Sequence, residues 1–193
     1  MPELSIRTMA QEELDLDFRW AADEGWNPGI RDAACFRAAD PGGFFIGELN
    51  GEPAASISAV AYDSEFGFLG FYIVRPEHRG EGYGLRMWEA GMRRLGNRTV
   101  GLDGVLAQQA NYERSGFTLK YRNVRHEGIG GGTRPGGIID ISTVPFEAVA
   151  RYDRGMFPSP RPALLSCWLG QPGATSLGIL RDGELAGYGV LWA

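Results

Sequence analysis

The sequence predicts an α/β protein of the mixed α+β kind, in which helices cover both faces of one sheet. The run Phe66–Val74 is apolar almost throughout, and a strand that is apolar on both sides is typical of the middle of a covered sheet. The strand-like runs before it are joined by tight turns, which favour antiparallel pairing. A strand–helix–strand crossover follows it, so the prediction is a three-layer domain with a mixed sheet.

The N-terminal segment predicts a short strand and two helices. Residues 4–6 favour the strand, and Thr8 with Gln11 has the spacing of a helix-capping box. The first helix ends at the turn 24–29, because glycine can adopt a left-handed cap and proline cannot continue the hydrogen-bond ladder. A second helix is predicted over Asp32–Ala39.

The middle of the chain predicts the sheet and its main helix. Phe44–Leu49 and residues 54–62 are predicted as strands joined by Asn50-Gly51, a dipeptide that supplies the positive φ angles of a hairpin turn. The helix over residues 82–95 has a predicted apolar face made of Leu85, Trp88, Met92 and Leu95. A strand, a helix and a strand are then predicted over Thr99–Leu102, 106–114 and 118–124.

A glycine-rich stretch divides the chain. We predict a first domain over residues 1–127, a linker over 128–138 and a smaller unit over 139–193, because glycine-rich segments lack side chains to pack. The predicted elements of the smaller unit are a helix over 146–152 and a hairpin of strands over 176–180 and 185–191. A unit this small is expected to dock on the first domain or to be an incomplete domain.

Charge and cysteine usage exclude several classes of protein. The 193 residues carry 24 acidic and 19 basic side chains, a net charge of −5, which argues against a nucleic-acid binder. The N-terminus lacks a signal-peptide pattern and no apolar run is long enough for a membrane span, so a cytoplasmic protein is expected. Cys35 and Cys167 lack metal-ligand spacing, so we expect free, structural thiols and no metal. A homodimer is left open.

The motif Arg79-Gly80-Glu81-Gly82-Tyr83-Gly84 lies between the apolar strand and the amphipathic helix. Its glycines let successive N–H groups approach one anion, the helix N-terminus adds partial positive charge, and an arginine can bind phosphate through two N–H groups. A Walker loop requires Gly-Lys-Ser/Thr, and a Rossmann loop has another glycine spacing, so both are excluded. The motif predicts a pyrophosphate-binding loop; the alternative is a glycine-rich turn without a ligand.

Residues 74–84 and 111–117 carry two motifs in a fixed order: Val-Arg-Pro-Glu-His-Arg-Gly-Glu-Gly-Tyr-Gly and Asn-Tyr-Glu-Arg-Ser-Gly-Phe. Together they resemble the acetyl-CoA signature and the second conserved segment of the GCN5-related N-acetyltransferase (GNAT) superfamily. The resemblance covers about residues 3–126. It implies the acyl-CoA N-acyltransferase fold, in which the central sheet splits into a V that admits the pantetheine arm of acetyl-CoA. The region beyond Ile139 resembles the start of a second acetyltransferase-like domain in bacterial tandem members.

The resemblance also implies which residues hold the cofactor. The main chain of Tyr72, Ile73 and Val74 is expected to bind the pantetheine arm. The pyrophosphate is expected at Arg79, Gly80, Glu81, Gly82, Tyr83, Gly84 and Leu85. Many members have an asparagine seven residues before the motif tyrosine, where this chain has Val105. Asn111 is therefore a candidate cofactor contact, with Gln108 and Gln109 as alternatives on the same helix.

Three further roles are predicted for side chains. Tyr112 occupies the place of the family's general acid, and a phenol with a pKa near ~10 can protonate a leaving thiolate with a pKa near ~8.5; the alternative is an aromatic wedge. Asp63 and Glu65 are candidate bases, although acids in a surface turn commonly serve solubility. Trp26 and Asn27 lie in the turn that borders the acceptor cleft of the superfamily, where an indole can bind a cation; the alternative is a packed helix cap.

The sequence therefore predicts an N-acetyltransferase that moves an acetyl group from acetyl-CoA to a primary amine by direct attack. The acceptor is a small-molecule or peptide amine whose identity the sequence leaves open. The alternative is a non-catalytic acyl-CoA-binding sensor or scaffold. Transfer to oxygen and transfer of a longer acyl chain are also left open.

Overall fold

The computed structural model describes residues 2–29, 31–124, 126–129, 131, 133 and 136–192. Its larger sheet has the strand order β1-β2-β3-β4-β5. The first four strands pair antiparallel in sequence order, and β5 runs parallel to β4. The mixed sheet that the sequence predicts is thereby confirmed. The strands are β1 (Leu4–Thr8), β2 (Phe44–Leu49), β3 (Glu52–Ala61), β4 (Phe66–Val74) and β5 (Thr99–Leu102).

Helices cover both faces of this sheet. Helices α1 (Leu14–Asp23) and α2 (Asp32–Ala39) enclose one apolar cluster, whose buried members are Met9, Leu14, Phe44, Ile46 and Val60. Helix α3 (Tyr83–Leu95) encloses the other cluster, which includes Leu4, Ile57, Leu69, Met87 and Leu95. The predicted three-layer arrangement is therefore present, and each layer is held by burial of apolar side chains.

The apolar face predicted for α3 is wrong only at Leu85, which is 61% exposed. Leu95 is buried, and Trp88 and Met92 pack at the edge of the core. The fully buried residues of the helix are Tyr83, Met87, Gly91 and Leu95. Gly91 explains the difference: a Cβ at this position would lie 3.1 Å from Ile57 Cδ1 and 3.2 Å from Leu69 Cδ2. The helix therefore approaches the sheet most closely along the Gly91 face, and Leu85 turns away from it.

The central sheet splits beside β4. Strand β5 pairs with β4 only from Phe66 to Leu69, and β4 continues to Val74 without it. In the unpaired half, the register with β3 shifts between Ser56 and Ser58, and Phe71 has a φ of 44°. A bulge of this kind bends its strand, so β4 turns away from β5 and leaves an open edge.

A second, three-stranded sheet follows in the C-terminal third, with the antiparallel order β6-β7-β8. The predicted hairpin and the predicted helix are both present. The helix is longer than predicted and ends at Met156, and a further helix follows it. The elements are β6 (Ile138–Asp140), α5 (Phe146–Met156), α6 (Pro162–Leu169), β7 (Ala174–Arg181) and β8 (Glu184–Trp192).

The C-terminal unit docks on the first sheet beside the turn between β3 and β4. The ring of Phe157 lies 5.0 Å from that of Tyr62 and 5.5 Å from that of Phe66. The buried hydroxyl of Ser159 donates a 2.6 Å hydrogen bond to the carboxylate of Asp63. This contact fits the expectation that so small a unit rests on the larger one.

The prediction of free thiols is wrong, because Cys35 and Cys167 form a disulfide between α2 and α6. The two Cα atoms lie 5.2 Å apart, within the range that a disulfide requires. The cysteines are 132 residues apart in sequence, so only the packing of one helix on the other brings them together.

Four local predictions also differ from the structure. Residues 118–124 form no strand, and their side chains are exposed throughout. The predicted helix 106–114 begins as a 3-10 turn, with α4 limited to Gln109–Arg114. The predicted capping box is shifted: Thr8 ends β1, and Glu13 instead accepts a 2.7 Å hydrogen bond from Ala10 N–H. The predicted linker lies partly outside the described residues, and its last residue, Ile138, begins β6.

Candidate active site

A groove of about 270 Å³ opens between β4, the first turns of α3 and the helix α4. It brings together four predicted site residues, namely Tyr72, Leu85, Asn111 and Tyr112, with Gln108, which the sequence analysis named as an alternative to Asn111. Its remaining lining comes from Trp88, Arg114 and Ser115. The groove therefore joins residues of the two sequence motifs at the place where the sheet splits.

The glycine motif forms the entrance to α3. Gly80 and Gly82 have φ angles of 80° and 83°, which favour glycine, and Gly82 is the residue that precedes the first helical residue. The first N–H groups of any α-helix have no acceptor within the helix. Those of α3 follow this loop directly, so the loop and the helix N-terminus present main-chain donors and partial positive charge to one anion.

Gly84 is required for the close approach of this helix to β4. A Cβ at Gly84 would lie 2.7 Å from the hydroxyl of Tyr72 and 3.4 Å from Val74 Cγ2. The Tyr72 ring in turn packs 5.7 Å from the Trp88 ring. The lack of a side chain at Gly84 thus lets the glycine-rich loop lie directly beside the open edge of β4.

Two side chains of the loop are already engaged. Arg79 forms an ion pair with Glu24 at the end of α1 and donates a 2.8 Å hydrogen bond from Nε to the Val74 carbonyl. Tyr83 is 3% exposed and belongs to the core beneath the loop. Arg79 holds the loop against α1 and β4, and Tyr83 anchors it in the core, so the main chain of the loop remains the principal candidate for binding an anion.

Alternate residues of β4 direct their main-chain N–H and C=O groups towards its open edge. Arg75 N–H donates to Ala54 on β3 at 3.0 Å, and main-chain groups in an antiparallel ladder alternate in direction. Ile73 therefore directs its main-chain N–H and C=O towards β3, as Arg75 does, whereas Tyr72 and Val74 direct theirs towards the split. The sequence prediction named all three residues, and the register distinguishes them.

Tyr112 is fixed by three neighbours. Its ring lies 6.0 Å from that of Trp88 at an interplanar angle of 27°. A Cβ at Gly104 would lie 2.4 Å from Tyr112 Cε2, so the absence of a side chain at Gly104 makes room for the ring. The hydroxyl accepts a hydrogen bond from Val105 N–H, which lowers the pKa of Tyr112, although burial raises it more and the net shift is upward. The phenol therefore stays protonated at neutral pH.

Asn111 lies beside Tyr112 in a polar network on α4. Its side-chain amide donates to Gln108, and its oxygen accepts from Arg114. Arg114, Ser115 and Trp88 line the groove although the sequence analysis assigned them no role there. Trp88 is four residues after Gly84, and Arg114 is three residues after Asn111, so helical spacing from the motif residues was the available signal.

Asp63 and Glu65 lie in the turn that begins β4, at the opposite end of the strand from Tyr72. The carboxylate of Asp63 accepts hydrogen bonds of 2.8 Å from the N–H groups of both Glu65 and Phe66. The Ser159 hydroxyl, followed by these two N–H groups, lowers the pKa of Asp63. The structure does not bring this pair to the groove, and the contacts of Asp63 favour a structural role in the turn.

Trp26 and Asn27 lie in the turn after α1. The N–H of Trp26 donates to Ala21 at 3.0 Å, and Asn27 is exposed with a φ of 49°. The ion pair of Glu24 with Arg79 joins this turn to the glycine-rich loop. Neither Trp26 nor Asn27 lines the groove, so their predicted contact with the acceptor stays a prediction.

The described residues contain no helix that is both long enough and apolar enough to cross a membrane. No three His, Cys, Asp or Glu side chains within the described ranges are grouped so that they could hold a metal ion.

Comparison with known proteins identifies the family. The model of the acetyltransferase (GNAT) family matches residues 7–117, and the model of a GNAT acetyltransferase domain matches residues 149–193. The first match covers more than half of the chain. The protein therefore belongs to the GNAT acetyltransferase family, and the resemblance stated from the two motifs is confirmed.

A named relative agrees with this assignment. The chain is 38% identical over 164 residues to holothin acyltransferase of Pseudoalteromonas sp. (strain SANK 73390), a match that covers 84% of this chain and 56% of that protein. The chain thus spans about half the length of this relative.

Two solved structures share the fold. A protein of Pyrococcus horikoshii that is described as an acetyltransferase has a TM-score of 0.80 at 20% identity, over 98% of this chain and 68% of that one. A protein of Clostridium acetobutylicum that is described as an acetyltransferase and was solved with acetyl-CoA has a TM-score of 0.51 at 16% identity, over 65% of this chain and 96% of that one. At these identities the likeness concerns the fold alone.

Proposed function

We propose that this chain is an N-acyltransferase that transfers an acetyl group from acetyl-CoA to a primary amine. The observation that supports this most directly is the position of Tyr112. Its hydroxyl lies in the same groove as the open edge of β4 and the first residues of α3. An acyl donor that binds along this edge would have its thioester beside a phenol and its pyrophosphate beside the helix N-terminus.

The donor would bind through main-chain groups. The loop 79–84 and the first turn of α3 would receive the pyrophosphate, because their N–H groups and the helix dipole favour an anion. The main-chain groups of Tyr72 and the N–H of Val74 would extend the pairing of β4 to the amide groups of the pantetheine arm, whereas the Val74 carbonyl already accepts from Arg79. The rings of Tyr72 and Trp88, 5.7 Å apart, would exclude water from this part of the groove.

The transfer itself would be a direct attack. The neutral amine nitrogen forms a bond to the thioester carbonyl carbon, the C–S bond breaks, and the sulfur takes the proton of the Tyr112 hydroxyl. The N–H of Val105 stabilises the phenolate that this step creates. The amine loses its own proton to a base or to water, and the phenolate regains a proton from solvent.

The acceptor and its base follow less directly from the site. A relative is named for acylation of holothin, and on that basis we propose a small-molecule amine as acceptor rather than a peptide. Of the predicted bases, Asp63 is engaged in the turn and Glu65 lies outside the groove, so we propose that Glu65 would take the amine proton only through water. We further propose that residues 139–193 form an acetyltransferase-like unit, which the family match to residues 149–193 supports.

The decisive experiment measures release of free CoA thiol from acetyl-CoA across a panel of small amines. We expect an amine-dependent release that falls about 100-fold or more in Tyr112→Phe, while acetyl-CoA still raises the melting temperature of the variant. Tyr121→Phe is the matched control, since Tyr121 is 70% exposed and lies outside the groove. Undiminished turnover in Tyr112→Phe would remove Tyr112 as the acid.

Two other outcomes would replace the proposal. Binding of acetyl-CoA without release of thiol for any amine would favour the acyl-CoA-binding sensor or scaffold. Absence of any stabilisation by acetyl-CoA at about 100 times an expected dissociation constant, where a ligand adds about 2.7 kcal/mol, would overturn donor binding itself.

A further inference from the structure

Asp17 is an aspartate of α1 that lies between the helix and the sheet. Its side chain is 0% exposed. Its two carboxyl oxygens are the only buried side-chain oxygen or nitrogen atoms of the described residues that have no hydrogen-bond partner. Buried polar groups without partners are rare in native proteins, so this carboxyl requires an explanation that packing alone does not give.

The polar group that affects the pKa of Asp17 is the hydroxyl of Ser56 on β3. Ser56 is also 0% exposed, and its Oγ donates a 3.0 Å hydrogen bond to the carbonyl of Phe71. A serine hydroxyl has one proton, so Ser56 cannot donate to Asp17 at the same time. Its oxygen can still accept a proton donor.

The charge state of Asp17 follows from its surroundings. An ionised carboxylate at 0% exposure with no cation and no donor would be strongly disfavoured. Burial raises the pKa of Asp17 to about 7, and the opposing cause is a Ser56 hydroxyl turned towards the carboxylate. That opposition is absent while the hydroxyl donates to the Phe71 carbonyl. A protonated carboxyl carries the O–H group that the oxygen of Ser56 can accept.

We infer that Asp17 is a positioning residue that, as a neutral acid, donates to Ser56 and thereby holds the β4 bulge at Phe71 in the form that binds acyl-CoA. In this arrangement the carboxyl O–H of Asp17, whose oxygens have no partner as the structure stands, would donate to Ser56, which already donates to the Phe71 carbonyl. This inference rests on the proposed function, because it takes the bulge to serve the binding of acyl-CoA.

The bulge is the part of β4 that needs such support. Phe71 has a φ of 44°, a left-handed conformation that is costly for an aromatic residue. Phe18, the neighbour of Asp17 on α1, packs its ring 4.5 Å from that of Phe71. Phe71 is thus held twice, by the Phe18 ring of α1 and by the hydrogen bond from Ser56 of β3. The residues that follow the bulge, Tyr72 and Val74, form the open edge.

A direct role of Asp17 as the base for the acceptor amine does not fit these contacts. Neither Asp17 nor Ser56 has exposed surface, so an acceptor reaches neither of them in this conformation. Other ionisable groups do not set its charge, since burial and Ser56 are the causes of the shift. The titratable residues on the elements packed around it are Glu12, Glu13, Asp15, Arg19, Asp23, Asp32, Arg37, Glu48, Glu52 and Tyr72.

The test compares acetyl-CoA affinity by calorimetry at pH 6 and pH 8. Asp17→Asn keeps an N–H donor for Ser56 and cannot ionise, so we expect wild-type affinity at pH 6 and the same affinity at pH 8. The wild type should lose affinity several-fold between pH 6 and pH 8, as the carboxyl ionises. Asp17→Ala and Ser56→Ala should bind about 10-fold more weakly at both pH values.

A second measurement separates positioning from general stability. Hydrogen exchange of the amides in residues 70–74 should be faster in Asp17→Ala and Ser56→Ala than in Asp17→Asn. Asp15→Asn, which changes an exposed aspartate on the same helix, is the control and should leave both measurements at wild-type values. If Asp17→Ala does not fold, Ser56→Ala carries the comparison, since it removes one hydroxyl only.

The outcomes distinguish this inference from the proposed function. Wild-type affinity and exchange in both Asp17→Ala and Ser56→Ala would overturn the inference while acetyl-CoA binding stands. Loss of affinity in Asp17→Asn equal to that in Asp17→Ala would show that the charged form is needed, which also overturns it. Failure of the wild type to bind acetyl-CoA would instead refute the proposed function, and the exchange measurement would still decide whether Asp17 supports the bulge.

Discussion

The two ends of strand β4 have opposite surroundings, although one continuous run of apolar residues forms both. From Phe66 to Leu69 the strand is paired on both edges, and the Phe157 ring packs on its face. From Gly70 to Val74 one edge is open, the backbone is bulged, and the groove lies alongside. We call these the closed end and the open end. The difference teaches that pairing, rather than residue type, decides which half of the strand is available to a ligand.

The largest expected effect concerns the disulfide that fastens the C-terminal unit. Reduction, or Cys167→Ser, should lower the free energy of unfolding by about 2–4 kcal/mol, because the cross-link restrains the unfolded chain. Since neither cysteine lines the groove, acetyl-CoA affinity should change less than twofold. Denaturant unfolding with and without reductant, followed by calorimetry with acetyl-CoA, measures both quantities.

The control for this experiment is the double variant Cys35→Ser with Cys167→Ser, which should no longer respond to reductant. Equal unfolding midpoints of the wild type with and without reductant would show that the bond does not form in solution. A large loss of acetyl-CoA affinity would show that the closed and the open end are coupled.

The next effect concerns the open end. Gly84→Ala places a Cβ 2.7 Å from the Tyr72 hydroxyl, so either the ring or the start of α3 must move. We expect acetyl-CoA to bind about 10-fold more weakly, a loss of about 1.4 kcal/mol, with little change in the unfolding midpoint. Alanine is the better helix former, so lower helix propensity cannot account for such a loss.

Gly155→Ala is the matched control for this change. Gly155 lies within α5, and a Cβ there meets no atom within 4 Å. The control should raise stability slightly, by about 0.5–1 kcal/mol, at unchanged affinity. Wild-type affinity in Gly84→Ala would mean that the loop does not need its close approach to β4.

Much of the open end could be predicted from sequence because its signals are local. The bounds of Phe66–Val74 and Thr99–Leu102 agree with the structure, since apolar runs and turn residues mark them. The glycine motif and Tyr112 were found because each function requires a fixed residue type at a fixed spacing. These signals do not depend on how distant parts of the chain pack.

The features that were missed depend on contacts between distant segments. The disulfide joins cysteines that only the packing of α6 on α2 brings together. The buried face of α3 depends on the space left at Gly91 by Ile57 and Leu69. Asp17 gave a partial signal, because it lies on the stripe of Leu14 and Ala21 that faces the sheet, where a charged residue is unusual.

The smallest expected effect concerns Asp63 at the closed end. Asp63→Asn should lower the melting temperature by roughly 2–4 °C and should leave amine-dependent thiol release unchanged. The pKa of Asp63 is lowered in the folded state, so the stability it contributes is present above the unfolded pKa and is lost as the pH falls through the folded one. Glu65→Gln, which changes the exposed neighbour, is the matched comparison for turnover. If Asp63→Asn instead abolishes thiol release at an unchanged melting temperature, Asp63 is the base, and the closed end takes part in the chemistry.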